Sequence, residues 1–183
     1  MGFNGGETSG LKDEAGDTPG ARRWFRLCEE AAEAVRSPSW IVGERTHWGS
    51  PNIGELERRI GSSERFRQLL RFHAEINRDI LAMYPPQVVW MTGLSAYVRE
   101  AEEDYALTKV GDPAARDKRG RLWQEYRSAD GVPWLATVHP TGARMSRNEF
   151  EQIKKKLGSI SLMSNVAAVA HEKHSLLSRP NES

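Results

Sequence analysis

The chain has a single cysteine, Cys28, among 183 residues, so it can form no internal disulfide and no cysteine-based zinc site. A reducing compartment suits it. Cys28 falls in an apparent helix and reads as a small buried hydrophobe. No apolar run approaches the roughly 20 residues needed to span a bilayer. The start of the chain, with Glu7, Asp13, Glu14 and Asp17 among glycines, lacks the basic and apolar regions of a signal peptide. A cytoplasmic location without a membrane partner is expected. Charge of one sign is missing as well: 26 Lys and Arg face 25 Asp and Glu, a formal net charge of +1. Any nucleic-acid surface must therefore be a local patch. There is no glycine-rich phosphate loop between strand and helix, no Gly-x-Ser-x-Gly elbow and no Cys/His relay, so those enzyme classes are set aside. His171 and His174 stand one helical turn apart, but no carboxylate cluster accompanies them. Neither a metal nor a cofactor is expected.

What is present suits one domain, with 38% hydrophobic and 28% charged residues. Residues 1–20, rich in Gly, Ser, Thr and acid, read as a disordered tail. Residues 21–158 read as the folded domain, and residues 159–183 as an appended C-terminal helix with a frayed end. Within the domain, Trp24, Phe25, Leu27, Cys28, Ala31 and Val35 recur at helical spacing between Ala21 and Arg36. Trp40-Ile41-Val42 reads as a short strand, and a helix capped by Ser62 or Ser63 runs to Met83. Gln87–Met91 reads as a central strand covered on both faces, followed by a helix from Leu94 to Ala106. Asp112–Arg119 reads as a charged loop. Leu122–Tyr126 reads as an edge strand, paired through the Asp130-Gly131 turn with Val132–Val138. Ser146-Arg147-Asn148-Glu149 is a capping box for a helix ending near Leu157. The order predicts an α/β fold with a small, mainly parallel sheet flanked by helices.

Ligands of open α/β sheets bind beyond the carboxyl ends of the strands, and two such exits carry ionisable residues. One is Val138-His139-Pro140-Thr141-Gly142, where proline holds His139 extended at the lip of the sheet. The other is Gly43-Glu44-Arg45-Thr46-His47, after Trp40–Val42. Both segments also suit plain polar turns facing solvent.

Pro86-Gln87-Val88-Val89-Trp90-Met91-Thr92-Gly93-Leu94-Ser95-Ala96, followed later by His139-Pro140-Thr141, resembles the uracil-DNA glycosylase superfamily. The likeness covers Trp40 to Leu157. It implies a helix-flanked sheet whose strand exits receive a base flipped out of DNA, and hence a DNA-repair hydrolase. His139 would hydrogen-bond the base as negative charge develops on it. Thr141 replaces the family's serine and keeps a hydroxyl for phosphate, with Arg144 and Arg147 beside it for the DNA backbone.

The family has two strands before the proline-led one, whereas this sequence offers only Trp40–Val42. Placed first, that strand makes Glu44, after Gly43, the water-activating carboxylate. Placed second, it makes Thr46 and His47 the base-reading pair. Three functions follow: a divergent glycosylase, a relative that binds nucleic acid or nucleotide without cleavage, and an α/β interaction protein that self-associates through its C-terminal helix.

Overall fold

A computed structural model describes residues 19–42, 53–93, 98–115, 120–139 and 145–177. The tail expected over residues 1–20 lies almost wholly outside them. Helix α1 (Pro19–Ala34) opens on a proline, which has no amide hydrogen to leave unsatisfied in a first turn. Helix α2 (Ile53–Ile60), not anticipated from the sequence, is joined by Gly61 and Ser62 to α3 (Ser63–Met83). Ser62 caps α3 by accepting from the Arg65 N–H at 3.3 Å. Strand β1 (Val89–Thr92) and helix α4 (Val98–Asp104) follow. After them come β2 (Thr108–Ala115), β3 (Arg121–Arg127), β4 (Pro133–Thr137) and helix α5 (Arg147–Leu177).

The four strands lie in the order β1-β4-β3-β2. Only β1 and β4 are parallel, with Val89 opposite Trp134 and Thr92 opposite Thr137. The other two pairings are antiparallel, which corrects the mainly parallel sheet expected from the order of elements. The cause is β2, which takes up much of the supposed charged loop. It is exposed along nearly its whole length, so no alternation of apolar residues betrays it. Its charge, its proline and a shift of register between Val110 and Ala114 are features of strands that guard a sheet edge. The hairpin between β3 and β4 forms as expected, with the Ser128 N–H donating to the Val132 carbonyl at 3.0 Å and Gly131 at φ 87°. β3 is nonetheless internal, because β2 covers it.

Two further expectations change. The strand covered on both faces is β4, whose five residues are all buried, while β1 stands at an edge and is half-buried. Trp40-Ile41-Val42 forms no strand. The Trp40 ring instead lies 6.2 Å from that of Phe25 on α1, so side-chain packing replaces a backbone ladder. Neither placement of a Trp40 strand is therefore realised in the sheet among the described residues.

One face of the sheet packs on α1 and α5 through Leu27, Ala31, Leu135, Phe150, Ile153 and Leu157. The other packs Tyr126, Trp134 and Ala136 against Leu107, Leu81 and Val98. Leu56, Phe66 and Leu70 join α2 to α3 in a separate cluster. The capping box starts α5: the Glu149 carboxylate accepts from the Ser146 N–H at 2.6 Å, and the Glu149 N–H donates to the Ser146 hydroxyl at 3.2 Å. The helix does not stop near Leu157; it runs through Gly158 for 31 residues, so the expected division at residue 158 falls inside one helix. Gly158 is there because α1 passes close by. A Cβ at that position would stand 2.8 Å from the Ala34 carbonyl oxygen.

Candidate functional site

The parallel pair brings the ends of β1 and β4 side by side. Beyond the last paired residues, the Gly93 N–H donates to the Thr137 carbonyl at 2.7 Å. Gly93 adopts φ 111°, a conformation costly for any residue with a Cβ. The two strands are also tied through side chains, since the Trp90 indole N–H donates to the Thr137 hydroxyl at 2.9 Å. Thr137 is fully buried, so β4 leaves the core on a fixed residue two positions before His139.

His139 is exposed as a residue, yet its imidazole lies over the indole of Trp24, centroids 5.4 Å apart and planes 21° from parallel. Trp24 in turn meets Trp90 at 5.7 Å, and Trp90 meets Phe150 at 6.1 Å. A row of rings from α1, β1 and α5 thus supports the histidine at the strand exit. Loss of solvent around the ring pushes the His139 pKa down from its ordinary value near 6.5. That shift favours the neutral imidazole, in which one nitrogen donates and the other accepts.

Of the other residues singled out from sequence, Gly43, Glu44, Thr46, His47, Thr141 and Arg144 lie outside the described residues. Arg147 is described, and it is engaged within the protein. Its guanidinium meets Glu30 at 2.6 Å and Glu151 at 2.8 Å, and Lys154 contacts the same two carboxylates at 3.1 and 3.0 Å. Hydrogen bonding from Arg147 is the largest influence on Glu30, whose pKa falls to about 2. Two cations and two anions make this cluster neutral.

Beside the cluster, between the start of α1 and the start of α5, is a cleft of about 330 Å³. Leu27, Met145 and Phe150 form its apolar lining, while Arg23, Arg26 and Arg147 supply guanidinium groups. Phe150 belongs both to this lining and to the ring row beneath His139. Trp24 fits the apolar periodicity of α1, so nothing in the sequence marks it as a neighbour of His139. Arg23 and Arg26 were legible only as two basic residues three positions apart.

Among the described residues no group of three His, Cys, Asp or Glu side chains could hold a metal ion. No described helix is long and apolar enough to cross a membrane. Comparison of the chain with family models, curated proteins and solved structures gives no match.

Proposed function

We propose that the chain is a divergent uracil-DNA glycosylase-like protein that binds DNA and hydrolyses the N-glycosidic bond of a flipped base. The observation that carries this reading is the parallel pairing of the two strands bearing the motifs, with Gly93 and His139 at the same end of the sheet. In this reading the water oxygen attacks the sugar C1′ and its proton passes to the Glu44 carboxylate. The glycosidic electron pair leaves with the base, whose oxygen accepts a hydrogen bond from the neutral His139 ring. A neutral imidazole suits that task, because it can donate without carrying charge of its own. Gly43, Thr46 and His47 belong to the alternative placement, in which the same segment reads the base instead of activating water, while Thr141 and Arg144 would hold the neighbouring phosphates. Arg147 can join them only by sharing its guanidinium with Glu30 and Glu151.

The test is release of free base from an oligodeoxynucleotide containing uracil, read as alkali-sensitive abasic product. The expected result is slow release, lost in His139→Ala and Glu44→Gln. No release at high protein concentration would sink the proposal. A second reading, binding of nucleic acid or nucleotide without cleavage, is favoured by the lack of a strand at Trp40–Val42 among the described residues. It predicts salt-sensitive binding with no abasic product.

A further inference from the structure

The cleft between α1 and α5 is lined by three guanidinium groups, of which only that of Arg147 is paired with carboxylates among the described residues. Arg23 and Arg26 stand three residues apart on α1, where like charges are neighbours and repel. Glu30 lies four residues after Arg26, the spacing of a helical ion pair. It binds Arg147 and Lys154 instead. Among the described residues neither Arg23 nor Arg26 has a carboxylate partner, and both are exposed at the cleft. Arg147, held by its two carboxylates, adds a positioned guanidinium edge without adding net charge. The first turn of α5 contributes little attraction, since Glu149 already occupies the Ser146 amide.

We infer that this cleft is a phosphate-binding site in which Arg23 and Arg26 grip the oxygens of a phosphate group above the apolar floor formed by Leu27, Met145 and Phe150. Guanidinium groups suit this ligand, because each presents a fork of N–H donors matching two phosphate oxygens. The phosphate comes either from a nucleic-acid backbone, which rests on the DNA-binding reading above, or from a free phosphorylated small molecule, which does not. Phe150 links the cleft to the ring row under His139, so a strand gripped here would pass near the strand exit.

The experiment follows the Arg side-chain Nε–H signals of the full ¹⁵N-labelled chain by NMR, titrating first a short single-stranded oligodeoxynucleotide and then inorganic pyrophosphate. Saturable shifts of Arg23 and Arg26 with both ligands, stronger with the oligonucleotide, establish the cleft as a nucleic-acid phosphate site. Shifts with pyrophosphate alone support the cleft and defeat the DNA-binding reading. If neither ligand moves either signal, the inference is overturned. His139→Ala leaves the pyrophosphate shifts in place, which separates failure of the base site from failure of the cleft. In fluorescence titrations with the oligonucleotide, Arg23→Ala/Arg26→Ala should lower the magnitude of the slope of log affinity against log salt by about 0.7, as loss of one single-strand phosphate contact requires. Arg67→Ala/Arg71→Ala, which removes the same charge from exposed positions of α3, should leave that slope unchanged. Equal slopes for wild type and the Arg23/Arg26 variant would also overturn the inference.

Discussion

The imidazole of His139 rests on the indole of Trp24 with 5.4 Å between ring centroids. One ring comes from the exit of β4 and the other from the first helix, so the electrostatic state of the site depends on a residue more than a hundred positions away. Trp24→Ala should readmit water and raise the His139 pKa toward its ordinary value, measurable by NMR titration of the ring. The lowered pKa also has a sign in stability. As pH falls through about 6.5 the unfolded chain takes up this proton before the folded one does, so stability declines below that pH. The decline levels off once the lower, folded pKa is passed. Trp24→Ala should weaken that dependence in urea unfolding measured across the window.

Glu30 behaves in the same sense at lower pH. Its folded pKa, about 2, lies below the ordinary 4.5, so its contribution is complete above pH 4.5 and disappears as pH falls toward 2. Glu30→Gln should cost about 1 kcal/mol at neutral pH, the scale of a solvent-screened ion-pair cluster. The difference from wild type should close in acid and shrink in high salt. Denaturant midpoints for the two proteins, compared across this range, provide the measurement.

Gly158→Ala sets two effects against each other. Alanine is favoured over glycine inside a helix by about 1 kcal/mol, but here its Cβ would meet the Ala34 carbonyl oxygen at 2.8 Å. The obstacle is backbone, which cannot rotate away, and overpacking of this kind costs about 1–3 kcal/mol. The clash should win, giving a lower melting temperature in a substitution that usually raises it.

Thr137→Val keeps the shape of a fully buried residue while removing the acceptor of the Trp90 indole N–H. Leaving that donor unsatisfied should cost about 1–3 kcal/mol. Amide exchange near Gly93 and Val138 should quicken, because the two strand ends lose one of the bonds that hold them together.

Legibility in the sequence followed the strength of the local signal. Helices α1 and α3, the capping box Ser146-Glu149 and the Asp130-Gly131 turn carry their own chemistry, and each forms near its expected place. β2 gave no such signal, because a strand exposed on both faces has no reason to alternate. Trp40-Ile41-Val42 carried the composition of a strand without a partner to pair with. Gly158 looked like a helix end, since the sequence does not reveal that α1 passes 2.8 Å from its missing Cβ. At the site, His139 was legible from its position after an apolar run and before a proline. Trp24, Arg23 and Arg26 were not, because only tertiary packing brings α1 to the exit of β4.

The mixed pairing of the sheet also bears on the order in which it assembles. β2, β3 and β4 are joined by short connections, whereas β1 must wait for α4 and the whole antiparallel meander before it finds β4. Closing that longer loop costs more chain entropy and rewards it later, so the meander is the natural nucleus and β1 docks onto it. Substitutions at Leu122 or Tyr126 should then slow folding, while those at Trp90 chiefly speed unfolding. A strand that docks last is also the first to leave. The end of β1 that carries Gly93 therefore sits on the strand whose pairing closes the longest loop of the sheet.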